Sequence, residues 1–265
     1  MNSLIIRLGH SSIDFALTTA DTNDVKYESY HMNPGISLAA NLRDALDEDK
    51  LLIPHSSSLI QIVMVDTPVM LVPVDDFNDN DADALYRHAY PATGTAQNAI
   101  VGSSVVPALD VVALFAINKD VNTVVTDHFA QAKFMPAMQP LWTYLNAHHP
   151  AIITQGNVLH ICFHDGQMNA FSARNNRVRF CNTFQTDRAN DAAYLTLNVW
   201  TQMGMDAKHD VVAIIGTPPE GDKYAEIIRR YVRHVSVRHL ADEFALPASA
   251  KEMPVDMQAF IAHGR

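Results

Sequence analysis

The start of the chain alternates apolar and polar residues and is rich in β-formers. Leu4 to Leu8 and Ile13 to Thr18 each predict a strand, with a turn at Gly9-His10-Ser11-Ser12. A third strand, Val25 to His31, follows the turn Asp21-Thr22-Asn23-Asp24. Pro34-Gly35 breaks the chain, and Ile36, Ala39, Ala40, Leu42, Ala45 and Leu46 then fall at helical spacing. Strands are predicted next at Leu59 to Val65 and Val69 to Val74, separated by Asp66-Thr67-Pro68, and at Ala99 to Val106 and Val111 to Ile117. Asp79 to Tyr90 reads as a helix whose acidic first turn suits the helix dipole. Asn118 or Asp120 can cap a helix running to about Ala132. A strand at Lys133 to Met138 and a helix at Pro140 to Ala147 lead to His148-His149-Pro150, read as a boundary in surface loop.

The opening pattern then returns. Val158 to Phe163, Met168 to Ala173 and Val178 to Phe184 predict three strands, joined by His164-Asp165-Gly166-Gln167 and Asn175-Asn176, both good turn chemistry. A helix from Asn190 to Met203 ends at Gly204. Val211 to Ile215 is a buried strand ended by Gly216. Tyr224 to Val232 reads as an amphipathic helix and Val235 to Val237 as a short strand. Phe244, Leu246, Met257, Phe260 and Ile261 predict a packed tail. Two halves, residues 1–150 (with an insertion) and 151–265, each begin strand-strand-strand-helix. The expectation is an α/β protein with an internal structural repeat, built from mixed sheets covered by helices.

Composition narrows the function classes. The chain has 265 residues, 48% of them hydrophobic and 18% charged, enough for one large core or two modest ones and too apolar for wholesale disorder. The net charge of -10 makes nucleic acid a poor partner. The one basic cluster, Arg229, Arg230, Arg233, His234, Arg238 and His239, reads as a solvated helix face and the strand after it, or as a docking patch for an acidic partner. No stretch is long and apolar enough to span a bilayer, and residues 1–12 look like strand rather than leader. Cys162 and Cys181 alone support neither a disulfide framework nor a structural zinc site. These features point to the cytoplasm.

Ile5-Ile6-Arg7-Leu8-Gly9-His10-Ser11-Ser12-Ile13 resembles the first phosphate loop of the actin-like proteins at the inner membrane of type IV pilus systems. Met70-Leu71-Val72-Pro73 with Phe77, Ala113-Leu114-Phe115-Ala116-Ile117, Phe180-Cys181-Asn182-Thr183-Phe184 and the helix behind Asp191 are similar to a bacterial family of unknown function with that fold. The resemblance implies an actin-like ATPase architecture, two ribonuclease-H-like halves facing a nucleotide cleft. It places the cleft at Gly9, His10, Ser11, Ser12, Asp165, Gly166, Gly216 and Thr217. Active members begin each phosphate loop with an aspartate, in the pattern Asp-x-Gly then Thr or Ser, which helps to hold magnesium through oxygen. Here the first such position is Arg7. In the second loop Asp165 comes one or two positions late, and no hydroxyl follows Gly166. The adenosine motif, a glycine pair in active members, is Ile214-Ile215-Gly216-Thr217-Pro218, with one glycine. These departures together imply a degenerate ATPase without hydrolysis.

Binding is a separate matter. Gly9 can admit a ligand close to the backbone, and Ser11 and Ser12 can donate hydrogen bonds. Arg7 either pairs with a phosphate in the cleft or is the polar side of an alternating strand. Asp165-Gly166 equally reads as a tight hairpin turn.

Other constellations carry less. Gly216 to Lys223 nearly spells a P-loop, but Pro218 and Pro219 have no N–H to offer phosphate, and Tyr224 stands where a magnesium-binding hydroxyl belongs. His160 and His164 share a strand face but lie too far apart for one small metal ion unless the strand bends at His164. Ser11 and Ser12 beside His10 lack a nucleophile elbow. Asp75, Asp76, Asp79, Asp81 and Asp83 lack the glycine and glutamate of a calcium loop.

The sequence therefore supports a non-catalytic actin-like protein that acts by binding another protein or a second copy of itself, with no cofactor and no metal. Its alternative is a conformational switch set by ATP and magnesium. A third reading is an enzyme of another class using His10 or Asp165 as acid or base.

Overall fold

The computed structural model describes residues 3–18, 25–48, 59–94, 98–155, 157–243, 246 and 248–263. The turn at Asp21 to Asp24 and the tail residue Phe244 lie outside the described residues. The first elements are strands β1 (Ser3–Leu8), β2 (Ser12–Thr18) and β3 (Val25–His31), an antiparallel meander with Leu8 opposite Ile13 and Ser12 opposite His31. Alternation sorts their side chains. Leu4, Ile6, Leu8, Ile13 and Phe15 enter one core, so Arg7 and Asp14 fall on the opposite face of the sheet.

Helix α1 (Leu38–Glu48) begins two residues after Ile36. Ser37 is the reason, since its Oγ accepts the Ala40 N–H at 3.2 Å as a helix cap does. The buried Asn41 side chain then ties the incoming turn to the helix, accepting from Asn33 N–H at 2.7 Å and donating to Asn33 and Ser37 carbonyls. Strand β4 (Leu59–Met64) runs parallel to β1.

An insertion follows: β5 (Val69–Pro73), α2 (Ala82–Ala89), α3 (Pro91–Gly94), β6 (Ala99–Val106) and β7 (Val111–Asn118). Its strands form a separate sheet in the order β5-β7-β6. The central strand β7 is buried on both faces. Val112 and Leu114 join Val72 and Tyr86 in a small core, while Phe115 and Ile117 join the core of the first sheet. Helix α4 (Lys119–His128) is capped by Asn118, whose Oδ1 accepts from Asp120 and Val121 N–H at 2.8 and 3.3 Å. The helix stops at His128, before Ala132, where the Phe129 N–H closes on Val125. Strand β8 (Lys133–Pro136) then pairs parallel to β4. The first five-stranded sheet has the order β3-β2-β1-β4-β8, with α1 and α4 on one face.

The remaining elements are α5 (Met138–His148), α6 (Pro150–Gln155), β9 (Val158–His164), β10 (Gln167–Arg174), β11 (Arg177–Gln185), α7 (Ala189–Gln202), β12 (Val211–Gly216), α8 (Asp222–Arg229), β13 (His234–Arg238), α9 (Leu240–Glu243), α10 (Ala248–Lys251) and α11 (Val255–His263). The second five-stranded sheet is ordered β11-β10-β9-β12-β13. Both sheets thus read third, second, first, fourth, fifth, with an antiparallel meander continued by parallel strands. Helices α7 and α8 cover one face of the second sheet. Gly204, at φ 65°, ends α7, with Met205 N–H reaching back to the Trp200 carbonyl at 3.2 Å. In the tail Leu246, Met257 and Ile261 are buried.

Two compact units result: Met1–Gln139 with Pro247–Met253, and Pro140–Leu246 with Pro254–Arg265. Among the described residues no helix is long and apolar enough to cross a membrane.

Candidate functional site

The first unit presents Gly9, His10, Ser11 and Ser12 at the carboxyl end of β1. A main-chain bond from Gly9 N–H to the Ser12 carbonyl, 2.9 Å, closes this loop, and Ser11 accepts from Met32 N–H at 2.9 Å. Parallel pairing brings the end of β4 beside it. His10 Nδ1 and Asp66 Oδ2 are 3.0 Å apart, with the His10 side chain largely in water and that of Asp66 about half so. Behind the loop lies a buried polar cluster centred on Asp14. Arg7 Nη1 donates to Asp14 Oδ2 at 3.2 Å, and Ser12 Oγ donates to the same oxygen at 3.1 Å. Ser29 and Tyr27 hydroxyls donate to Oδ1 at 2.6 and 3.1 Å. Burial, and then the Asp14 charge, push the Tyr27 hydroxyl up to about 12.

This settles the two readings of Arg7. Its side chain is 1% exposed and its guanidinium is committed to Asp14. Arg7 is the polar side of an alternating strand and does not present a cation for phosphate. Ser12 is likewise engaged through its hydroxyl.

The second unit brings Asp165, Gly166, Gly216 and Thr217 to neighbouring strand ends, because β9 and β12 are parallel and Gly216 pairs with Phe163. Asp165 and Gly166 have φ of 49° and 69°, the paired left-handed conformation of a two-residue hairpin turn. A chain of side-chain hydrogen bonds runs from β11 to this turn. Thr183 Oγ1 donates to Asn169 Oδ1 at 2.6 Å, Asn169 Nδ2 donates to His164 Nε2 at 2.6 Å, and His164 Nδ1 donates to Asp165 Oδ2 at 3.0 Å. With Nε2 an acceptor, His164 is held as the Nδ1–H tautomer, and both ring nitrogens are used inside the hairpin.

Gly216, at φ 81°, has no room for a side chain. A Cβ there would stand 2.1 Å from the Phe163 carbonyl oxygen. The loop after it carries Glu220 to the start of α7. Glu220 Oε1 accepts the Ala189 N–H at 3.0 Å and Oε2 pairs with Lys223, so the chain's own carboxylate occupies the start of α7. Lys223 first, and then Ala189 N–H, hold that carboxyl below the usual range.

Sequence reasoning missed Asp14, Ser29, Asp66, Asn169 and Thr183. Asp14 and Ser29 sit at alternate positions within strands, a visible signal, but their partners become neighbours only through strand pairing. The reading of His148-His149-Pro150 as surface loop is corrected. His148 ends α5, and His149 is half-buried with Nε2 at 3.4 Å from Glu243, which also accepts from Tyr144 at 2.8 Å. Pairing across the second unit folds this segment against α9. Among the described residues, no three of His, Cys, Asp and Glu are grouped to hold a metal ion.

Duplicated sheets of this order, with a candidate loop at each parallel strand end, define the class: a protein of the actin-like ATPase fold. A Bacteroides thetaiotaomicron protein with actin-like ATPase fold and unknown function superposes with a TM-score of 0.84, at 19% identity, over 98% of this chain and 95% of its own. The match to the family described as "Protein of unknown function (DUF3822)" covers residues 1–235, and the chain belongs to that family. Two further structures share the fold at greater distance. The PilM–PilN type IV pilus biogenesis complex gives a TM-score of 0.54 at 10% identity, over 98% of this chain and 96% of the other. The cytoplasmic domain of EpsL, an inner-membrane component of the Vibrio cholerae type II secretion system, gives 0.50 at 9%, over 100% and 94%. Curated proteins yield no sequence relative.

Proposed function

We propose that this protein is a non-catalytic member of the actin-like fold that works in the cytoplasm by binding another protein. The observation that carries the reading is the buried Arg7–Asp14 pair. Where active members place a metal-holding aspartate, this chain places a cation already neutralised by its own strand partner. The second hairpin agrees in kind, since His164 and Asn169 satisfy one another across its two strands. A fold alone does not carry an activity. The two distant neighbours are nevertheless a member of a PilM–PilN complex and a secretion-system component, and both favour a role in assembly.

The test is thermal unfolding of the purified chain with and without millimolar ATP and magnesium, alongside a phosphate-release assay. A ligand at one hundred times its dissociation constant adds about 2.7 kcal/mol to the native state. The expected result is an unchanged midpoint and no phosphate release. A magnesium-dependent rise abolished by Gly9→Val replaces this reading with the ATP-set switch, and turnover overturns it.

A further inference from the structure

The helix dipole accounts for arginines at the end of a helix, but not for cations that the tertiary structure adds beside them. Arg229 closes α8 and Arg230 caps it, where the last carbonyls favour positive charge. Arg233 and Lys208 lie outside the helix. The Arg233 N–H donates to the Ala207 carbonyl at 2.9 Å, and His234 Nε2 donates to the Lys208 carbonyl at 3.0 Å. These two bonds lay the loop before β12 beside the start of β13 and bring Lys208 next to Arg233. All four cations are exposed, and none has an ion-pair partner among the described residues. Tyr231 stands between Arg230 and Arg233 and is 61% exposed.

The acids of the same loop are committed to its own donors. Asp206 accepts the Lys208 N–H at 2.7 Å through one oxygen and pairs with His209 Nδ1 at 3.0 Å through the other, and Asp210 accepts the Asp206 N–H at 2.7 Å. Glu226, one turn back on α8, makes no ion pair among the described residues. Nor does the acidity of the chain reside in this unit. Pro140–Leu246 with Pro254–Arg265 holds eleven Lys and Arg and eleven Asp and Glu, so the negative excess belongs to the other unit.

We infer that the surface around Tyr231 docks an acidic segment of a protein partner, with Lys208, Arg229, Arg230 and Arg233 taking its carboxylates. The inference rests on the reading that the protein acts by binding another protein, and it names the surface and the partner's chemistry. A guanidinium takes a carboxylate through two parallel N–H···O bonds, and tyrosine with arginine is the composition of interface centres. Asp206, Asp210 and Glu226 set the width of what fits. A bilayer or a nucleic-acid duplex presents a continuous array of phosphates and would meet these carboxylates together with the cations. A peptide carboxylate meets one cation at a time, and at physiological salt exposed charges beyond about 8 Å are screened from it. The pattern therefore selects single carboxylates on a narrow chain over a phosphate surface.

The experiment is fluorescence anisotropy of a labelled decapeptide of alternating glutamate and alanine, titrated with the full chain, with its glutamine counterpart as reference. Only the glutamate peptide is expected to bind, and less tightly as salt rises from about 50 to about 300 mM. Arg230→Gln with Arg233→Gln should weaken binding by about 10-fold. Arg174→Gln with Arg177→Gln, the same charge change at exposed positions of the same unit, should leave it unchanged. Tyr231→Ala should weaken it by about 3-fold with no change of charge. A urea midpoint for each variant separates lost contacts from lost folding. No binding with the chain at hundreds of micromolar overturns the inference, and so does an equal loss in the two double variants, which would assign binding to net charge. Tighter binding to phosphatidylserine vesicles or to a DNA duplex, abolished by the same Arg230 and Arg233 changes, overturns it in favour of a phosphate surface. A chain that neither binds the acidic peptide nor hydrolyses ATP loses this surface and keeps the proposed function, whereas one that binds the peptide and turns over ATP does the reverse.

Discussion

The two halves build the same sheet and hold the tips of their first hairpins by different means. In the first half a four-residue loop is backed by a buried ion pair, Arg7 with Asp14, and two further hydroxyls on Asp14 from β3. In the second half a two-residue turn supplies its own geometry through Asp165 and Gly166, and its support is an imidazole–amide–hydroxyl chain. One tip depends on charge compensation and the other on backbone conformation. A shared topology thus places a loop without dictating the chemistry beneath it.

The comparison can be broken most sharply at Arg7. Arg7→Leu leaves the Asp14 carboxylate buried and uncompensated, which should cost about 3–5 kcal/mol in urea unfolding. Adding Asp14→Leu should recover most of that loss. If the single variant costs no more than an exposed substitution, the ion pair does not support the loop.

The second half should respond to backbone instead. Gly216→Ala combines a left-handed φ with a contact 2.1 Å from the Phe163 carbonyl, and a loss of about 3 kcal/mol is expected. Gly166→Ala meets no atom within 4 Å, so only its φ resists, and about 1 kcal/mol should be lost. Equal losses at the two glycines would show that space at Gly216 is not the constraint.

Acid offers a third distinction. His160, on β9, is fully buried, and among the described residues neither ring nitrogen has a hydrogen-bond partner. Burial first, and then the Arg238 charge, bring its pKa down from 6.5 to about 3. Between those values the unfolded chain binds a proton that the folded chain does not, so stability is complete above the upper value and falls as pH drops through the window. The expected slope is about 1.4 kcal/mol per pH unit. His160→Leu should flatten the urea midpoint between pH 6.5 and 3. An unchanged slope would assign the acid sensitivity to other groups.

The smallest effect belongs to the exposed pair at the first tip. His10→Ala should change stability by less than about 0.5 kcal/mol, because the His10–Asp66 pair lies at the surface with the imidazole largely in water. A larger loss would mean that the first loop depends on its surface pair as well as on Arg7.

Much of this was legible along the chain. The first three strands of each half, the tight turn at Asp165-Gly166, the Asn118 cap and the end of α7 at Gly204 all follow from period, turn chemistry and capping, which act over a few residues. The sheet order did not, because parallel partners such as β1 and β4 are set by which apolar faces can share a core. The site was legible only in outline. Gly9 to Ser12 and Asp165 to Thr217 were visible as turn residues, yet the loss of Arg7 to Asp14 depends on two strands lying side by side.

The amino-acid sequence by itself determined the strands, the turns and the repeat, since alternation and glycine or asparagine at left-handed positions are local constraints on a chain. Only the tertiary structure decided that Arg7 is spent on Asp14 and that Glu220 fills the start of α7. The reason is that charge compensation is a property of neighbours in space. Residues many positions apart acquire it only when the sheet assembles.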